Sequence, residues 1–135
     1  MDLTSLEKAV ASLDRTMKAV SSAKNADKDV REAVRAGVIQ NFEFTYELCW
    51  KFMKRRLENE LGSSYVDGVA RHELFRLAAE SRLISEVEKW MKYHAARNET
   101  AHTYDSGKAD EIFGIASVFY ADAEKFLKVL KERND

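Results

Sequence analysis

A complete absence of proline constrains this chain more than any other feature of its sequence. Among 135 residues there are no prolines and only five glycines. Because proline and glycine normally mark turns, their scarcity predicts few secondary-structure elements, each with a long uninterrupted run.

Apolar residues recur at helical spacing in these runs. The first run has a stripe at alternating steps of three and four residues, which predicts an amphipathic helix of about three heptads: Leu3, Leu6, Val10, Leu13, Met17 and Val20. The second run extends from about Asp27 to Leu61, and Gly62 supplies a C-terminal stop. No strand-like alternation of useful length is present, so the sequence predicts an all-α fold.

Three further helices are expected after the loop at residues 63–68. Their expected bounds are Val69 to about Ser81, about Ser85 onward, and Asp105 or Ser106 to about Arg133. Capping boxes are predicted at two helix starts, from Thr4 with Glu7 and from Ser85 with Glu88. The expected architecture is an antiparallel up-down bundle of four main helices plus one additional short helix, with residues 1–135 as one domain.

The composition narrows the function class. Lys and Arg number 22 against 23 Asp and Glu, and this formal charge of -1 excludes a strongly basic nucleic-acid coat while leaving room for a local basic pocket. Cys49 is the one cysteine, so no internal disulfide can form and a reducing compartment is indicated. The N-terminus lacks the pattern of a secretory signal, and the uncharged run 112–121 is too short to span a bilayer. We expect a soluble cytoplasmic domain that binds no membrane.

The second helix has more apolar surface than one neighbour can cover. Between Phe42 and Met53 its apolar arc is too wide for contact with a single helix, which predicts a bundle core on one side and a two-fold homodimer interface on the other. The interface candidates are Phe42, Tyr46, Trp50 and Met53. The expected solvent face comprises Gln40, Glu43, Glu47, Lys51 and Lys54, with Glu47 and Lys51 at favourable ion-pair spacing.

Polar side chains interrupt the apolar stripe of the helix that opens near residue 85. Heptad spacing from Trp90 leads to Arg97, and the step of four residues from His94 leads to Asn98. Burying an unpaired arginine is very costly, so either an anion meets Arg97 or the position is open to solvent. From composition alone, the favoured interpretation is a last helical turn that leaves the core, with cations complementing the helix dipole.

The segment Arg97-Asn98-Glu99-Thr100-Ala101-His102-Thr103-Tyr104-Asp105 resembles the Arg-x4-His signature of the HEPN superfamily. Its Arg-Asn start and His-x-Tyr end are similar to one branch, the nucleotidyltransferase substrate-binding proteins, which resemble the HEPN toxins paired with minimal nucleotidyltransferases. The resemblance covers essentially the whole chain. The N-terminal helix, the segment from Phe42 to Lys51 and the motif all occur in family order.

The resemblance implies a ribonuclease that cleaves RNA without metal, by attack of the ribose 2′-hydroxyl on the adjacent phosphate. His102 would then be the acid/base group, because histidine titrates near neutral pH. Arg97 would stabilise the phosphorane and Asn98 would position it by a hydrogen bond. No cofactor is implied, and the spacing of His94, His102 and Asp105 is not a recognised metal-ligand pattern.

The spacing of the motif limits how one chain can use it. Five residues of continuous helix rotate by about 140°, so Arg97 and His102 would point apart. Either the helix ends near Asn98 and the chain curls back, or two subunits bring their motifs together. The resemblance implies the second arrangement, with RNA or a nucleotide in a cleft between two copies.

Tyr104 has two interpretations. The resemblance implies that a partner nucleotidyltransferase adenylylates Tyr104 and silences the ribonuclease, because AMP would add anionic bulk to a cleft that receives phosphate. The alternative is a tyrosine at a helix end that packs over the bundle.

Three function classes remain open at this point. The first is a ribonuclease toxin that a nucleotidyltransferase partner neutralises, and the second is a non-catalytic subunit that binds a nucleotide or substrate for that partner. The third is a helical scaffold. The chain has no nucleotidyltransferase signature and no glycine-rich phosphate loop, so we do not expect it to be the transferase itself. His72 is expected at the surface and Cys49 in the core.

Overall fold

Five α-helices make up about three quarters of the chain in the computed structural model, which describes residues 1–134. They are α1 (Thr4–Ser22), α2 (Lys28–Leu61), α3 (Arg71–Glu80), α4 (Val87–Asn98) and α5 (Ser106–Glu132), with 3₁₀ turns at Ser63–Tyr65 and Thr100–His102. No strand occurs within residues 1–134. The predicted all-α fold of four main helices and one short helix, α3, is therefore confirmed. None of the five helices is both long and apolar enough to cross a membrane.

Contacts between the helices give an up-down arrangement. Helix α2 runs antiparallel to α1, and α5 runs antiparallel to both α4 and α1. The pairs that set these directions are Ala9–Thr45 and Ser12–Asn41 between α1 and α2, Lys89–Asp122 and Glu99–Lys108 between α4 and α5, and Glu7–Lys131 between α1 and α5. The arrangement brings the C-terminal end of α4, the start of α5 and the middle of α2 together.

Local sequence signals set several helix ends. The Asp27 carboxylate accepts a hydrogen bond from the Val30 amide at 3.1 Å, which caps α2. Gly62 ends the same helix with a φ of 92°, a conformation that glycine adopts without a Cβ clash. Asp105 accepts from the Gly107 and Lys108 amides at the start of α5. These ends agree with the predicted ones.

Both predicted capping boxes are wrong. Helices α1 and α4 begin after Leu3 and Glu86, and neither start has a side-chain cap. At α1 the Asp2 carboxylate accepts from the Thr4 amide at 2.9 Å instead. Because Thr4 already lies inside the helix, its hydroxyl is not available to cap the first turn.

The core is one continuous cluster in which aromatic rings meet edge to face. Phe119 of α5 lies at its centre, with ring centroids 5.1 Å from Phe42, 5.7 Å from Trp90 and 5.0 Å from Tyr93. Such edge-to-face pairs are favoured because the positive ring edge meets the negative ring face. Cys49 is fully buried in the same core, as expected, and burial raises the pKa of its thiol.

The predicted homodimer interface on α2 requires correction. Phe42, Tyr46 and Met53 have no exposed surface in the single chain, so they cannot contribute area to contact with a second subunit. Their apolar arc is wide because α2 contacts all four other helices. Trp50 is different, since it is only partly buried and lies at the edge of the cluster described next.

Candidate functional site

Arg97 lies in the last turn of α4 and is bound by two carboxylates of α2. Its Nε donates to Glu47 Oε1 at 3.1 Å, and its Nη2 lies 3.3 Å from Glu43 Oε1. Both carboxylates reach the same guanidinium because Glu43 and Glu47 are about one helical turn apart. The Arg97 side chain is 29% exposed. The anion that the sequence required at this position is therefore supplied by the chain itself.

Glu47 also fixes the indole of Trp50. The Trp50 Nε1 donates to Glu47 Oε2 at 3.0 Å, so the two oxygens of one carboxylate bind Trp50 and Arg97 separately. Glu47 keeps 31% of its side chain exposed, at the edge of the predicted solvent face, but it pairs with Arg97 and not with the expected Lys51. Tertiary contact with Arg97 takes precedence over the weak pair within the helix.

The chain leaves the helix directly after Asn98. The Thr100 hydroxyl donates to the Arg97 carbonyl at 2.8 Å and accepts from Arg97 Nη1 at 3.3 Å, which ties the 3₁₀ turn Thr100–His102 to the end of α4. The helix thus ends where the first sequence alternative required. Within residues 1–134, however, no hydrogen bond or ion pair joins Arg97 to His102. One chain therefore does not bond these two side chains to each other within the described residues.

A hydrogen-bonded chain connects the core to Asn98. The Tyr46 hydroxyl and His94 Nδ1 lie 2.8 Å apart, and His94 Nε2 lies 3.4 Å from the Asn98 amide nitrogen. Tyr46 is fully buried, whereas Asn98 is exposed. His94 therefore holds Asn98 from the protein side and leaves the outer side of the amide open.

The surroundings of His94 favour its neutral form. Burial lowers the pKa of His94, the positive charge of Arg71 and that of Arg97 lower it further, and only the Glu47 carboxylate opposes them. A neutral imidazole has one donor and one acceptor nitrogen, which matches two different neighbours at Tyr46 and Asn98. Burial likewise raises the pKa of the Tyr46 hydroxyl, so this group also stays uncharged.

His102 and Tyr104 lie on the outside of the molecule. His102 is exposed, and its ring meets that of Tyr104 edge to face with centroids 6.3 Å apart. Tyr104 is 87% exposed, which makes it the most exposed large hydrophobic side chain of the described residues. The alternative of a tyrosine packed over the bundle is therefore wrong. Both side chains are accessible to a molecule that approaches from solvent.

Arg71 adds a second guanidinium next to this cluster. It is the first residue of α3, and its guanidinium carbon lies 3.6 Å from the centroid of the Trp50 ring. Arg71 also lies within hydrogen-bonding reach of the Tyr46 hydroxyl, and its positive charge lowers the pKa of both Tyr46 and His94. The site therefore contains two arginines whose positive charges both act on His94.

Sequence reasoning identified the motif but missed the residues that hold it. Glu43, Glu47, His94 and Arg71 were assigned no role at the site, although they contact or surround Arg97 and Asn98. The one available signal was a pair of glutamates spaced four residues apart next to a tryptophan, and this pattern is common on solvent-facing helices. His72 is at the surface, as expected, where it pairs with Glu88 at 3.1 Å. Among residues 1–134, no group of three His, Cys, Asp or Glu side chains could hold a metal ion.

Comparison with known proteins agrees with this fold and motif. Residues 1–132 match the family described as nucleotidyltransferase substrate binding protein like. A Haemophilus influenzae protein named probable ribonuclease HepT is 33% identical over 138 residues, which cover 99% of this chain and 94% of that protein. A solved Haemophilus influenzae structure is also similar, and it is described as revealing the fold of a substrate binding domain of a nucleotidyltransferase. Its TM-score is 0.91 at 31% sequence identity, and the match covers 96% of this chain and 99% of the other. The chain belongs to the nucleotidyltransferase substrate-binding-protein-like family, within the HEPN superfamily.

Proposed function

We propose that this protein is the HEPN-type partner of a small nucleotidyltransferase and that it acts as a metal-independent endoribonuclease. The proposal depends on one observation, which is that the fold treats the two ends of the motif differently. Arg97 is held by two carboxylates, while His102 and Tyr104 are exposed a few residues further on. Two relatives support the two parts of the proposal, since one is named a probable ribonuclease and the other is described as a substrate binding domain of a nucleotidyltransferase.

In the proposed reaction, the ribose 2′-oxygen attacks the neighbouring phosphorus. The 2′-hydroxyl gives its proton to a neutral His102 as the new bond to phosphorus forms. The bond from phosphorus to the 5′-oxygen then breaks, and that oxygen takes a proton from the imidazolium of the second copy's His102. The products are a 2′,3′-cyclic phosphate and a 5′-hydroxyl, so atoms and protons balance.

Arg97 stabilises the additional negative charge on the phosphate in this proposal. Its planar fork matches two phosphate oxygens, which a point charge cannot do. In the free chain Glu43 and Glu47 occupy the same donors. The phosphate therefore has to displace at least one carboxylate, and Asn98, held by His94, donates or accepts an additional hydrogen bond at the same place.

The proposed reaction uses two copies, because the proton for the leaving oxygen comes from the second copy's His102 and no hydrogen bond or ion pair joins Arg97 to His102 within residues 1–134. We assign the homodimer interface to the groove between α4 and α5 in place of the aromatic arc of α2. This groove encloses about 320 Å³ and is lined in part by Tyr93, Ile115 and Val118, the last of which is 53% exposed. Tyr93 lies one helical turn before Arg97, so a second copy in this groove would bring the two motifs close together.

An interface test compares two exposed apolar residues. Val118→Lys should turn the dimer into a monomer in sedimentation at micromolar concentration and abolish RNA cleavage. Leu61→Lys changes a side chain that is 39% exposed at the end of α2, and it should leave the dimer intact. A wild-type monomer, or a dimer that persists in Val118→Lys, would refute this assignment.

Tyr104 is the proposed site of regulation. Its exposed hydroxyl would attack the α-phosphorus of ATP in the active site of the partner, with release of pyrophosphate and formation of a phosphodiester to AMP. The added anion would lie beside His102 and repel RNA from the cleft. With the partner, ATP and magnesium, the wild type should gain AMP and lose ribonuclease activity, whereas Tyr104→Phe should stay active.

The decisive experiment is expression of the wild type beside His102→Ala, with growth and RNA cleavage as readouts. The wild type should arrest growth and produce RNA ends with a cyclic phosphate. His102→Ala should lose about 10²–10⁴ in cleavage rate, as expected for removal of a general acid/base. His72→Ala is a matched control because it removes another exposed histidine, and it should behave as the wild type.

The second candidate function is a non-catalytic subunit that binds a nucleotide or substrate for the transferase. Two observations favour it: Arg97 is already neutralised by two carboxylates, and within residues 1–134 the His102 imidazole has no side-chain hydrogen bond, only the ring of Tyr104 beside it. Tight binding to the nucleotidyltransferase, together with no RNA cleavage by the wild type, would select this function.

A further inference from the structure

Arg71 pairs with no carboxylate among residues 1–134, although its guanidinium stacks on Trp50. Its Nη1 is buried and has no hydrogen-bond partner among the described residues. A guanidinium is always charged, and an unsatisfied buried donor on a charged group is especially unfavourable. Arg71 also begins α3, where the positive end of the helix dipole disfavours a cation. Nη1 itself is enclosed, but an anion bound to the outward side of the guanidinium would offset both the charge of the group and its place at the start of α3.

The stack on Trp50 gives Arg71 a defined plane. The guanidinium carbon lies 3.6 Å from the ring centroid, within the range of a close cation–π contact. Trp50 is itself held by Glu47 through its indole nitrogen at 3.0 Å. The residue as a whole is only partly buried, so an anion in solvent can approach it. Arg71 is therefore pre-oriented and accessible.

A short series of contacts connects Arg71 to Arg97. Arg71 stacks on Trp50, Trp50 bonds one oxygen of Glu47, and the other oxygen of Glu47 bonds Arg97. The positive charges of both arginines act on His94, which lies between α2 and the motif. The two guanidinium groups therefore belong to one continuous surface.

We propose that Arg71, stacked on Trp50, binds a second phosphodiester of the RNA strand, adjacent to the one bound at Arg97. This inference rests on the proposed function in that it takes single-stranded RNA as the ligand. It assigns Arg71 to substrate binding outside the reacting atoms, so its removal weakens binding more than it slows the chemical step.

Binding of uncleavable RNA tests this proposal without any need for activity. The probes are labelled 2′-O-methyl oligonucleotides with one phosphodiester or two, measured by fluorescence anisotropy against the wild type and Arg71→Gln. The wild type should bind the two-phosphodiester probe more tightly. Arg71→Gln should bind it about ten- to hundredfold more weakly than the wild type, the range of a charge-assisted hydrogen bond, and should bind the shorter probe unchanged.

Two further variants separate binding from structure. Arg55→Gln removes an arginine that also lies over an aromatic ring, Phe52 at 5.5 Å, and it should bind both probes as the wild type does. Arg71→Lys keeps the charge but not the planar fork, and it should recover only part of the affinity. The near-ultraviolet emission of Trp50 should change when the longer probe binds, and this change should be absent in Arg71→Gln.

Several outcomes would overturn the proposal. It fails if the wild type binds both probes equally, or if Arg71→Gln binds the longer probe as tightly as the wild type does. It also fails if AMP or inorganic phosphate accounts for all of the Arg71-dependent affinity, since the anion would then not belong to an RNA strand. If the length dependence and its loss in Arg71→Gln are observed while cleavage is absent, this inference stands and the proposed ribonuclease activity does not.

Discussion

The two halves of the motif differ sharply in how the fold treats them. Arg97 and Asn98 are held by side chains of α2 and α4, through Glu43, Glu47 and His94. His102 and Tyr104, a few residues later, are exposed, and their rings meet edge to face.

The difference shows which parts of the proposed chemistry one chain can prepare alone. A group that must bind phosphate in a fixed orientation gains from rigid support, which α2 provides. A group that must meet a second copy or a modifying enzyme has to be exposed. Four predictions test this division between a supported half and an exposed half.

The largest expected effect is the loss of cleavage in Arg97→Ala. Removing one donor that stabilises transition-state charge typically lowers the rate by about 10²–10³. Arg97→Lys should recover little of it, because a point charge does not reproduce the fork. The measurement is single-turnover cleavage of an RNA oligonucleotide, with circular dichroism as the check on folding. Wild-type cleavage by Arg97→Lys would show that the fork is not required.

Replacing a tyrosine by phenylalanine should lower the free energy of unfolding in the supported half of the motif but not in the exposed half. Tyr46→Phe removes the hydroxyl that bonds His94 Nδ1 and leaves a buried ring nitrogen unsatisfied, at a cost of about 1–3 kcal/mol in the free energy of unfolding. Tyr104→Phe changes an exposed side chain and should stay within about 0.5 kcal/mol of the wild type. Urea denaturation measures both. Equal values for the two variants would contradict the division.

Lowering the pH should reduce the stability of the folded chain through His94, which belongs to the supported half. The folded pKa of His94 is lowered, so the unfolded chain takes up a proton at a higher pH than the folded chain does. The contribution of neutral His94 to stability is therefore complete above the ordinary histidine pKa of about 6.5 and declines as the pH falls below it. Urea denaturation at pH 7.5 and pH 5.5 should show a larger loss for the wild type than for His94→Gln. An equal loss in both would show that His94 is not protected from protonation.

The smallest expected effect concerns the carboxylates. Glu43→Gln keeps the shape of the side chain but removes one charge from a partly exposed ion pair, so stability should change by less than about 1 kcal/mol. Its effect on ligand should be more informative, because phosphate no longer has to displace this carboxylate. Affinity for an uncleavable RNA should rise relative to the wild type. Glu99→Gln, which affects a long ion pair with Lys108, should leave that affinity unchanged; a rise in both variants would indicate a general charge effect.

Local signals made three helix ends predictable, although they failed at the starts of α1 and α4, and tertiary contacts limited the rest. Asp27, Gly62 and Asp105 act on residues next to them, so their roles could be inferred from the sequence. The width of the apolar arc on α2 was also correctly identified, but periodicity does not say what covers an arc. Four neighbouring helices cover it, which is why Phe42 and Tyr46 are core residues and not interface residues.

The candidate site could be located but not assembled from the sequence. The linear motif contains Arg97, Asn98, His102 and Tyr104, and a motif can be recognised without a structure. The groups that support it come from α2, α3 and the preceding turn of α4. Helical periodicity shows which face of its own helix Glu47 occupies, but it does not show that Arg97 lies opposite.

The carboxylates on Arg97 have a consequence for the salt dependence of RNA binding. A phosphate that binds a free cation releases condensed counterions, which contributes about -0.7 per phosphate to the slope of log affinity against log salt for a single strand. At Arg97 the arriving phosphate replaces a carboxylate, so fewer counterions are released there. Arg71 has no such anion among the described residues and should contribute the full amount. A strand that contacts both arginines should therefore show a salt slope close to that of a single phosphate contact. Arg71→Gln should remove most of this slope.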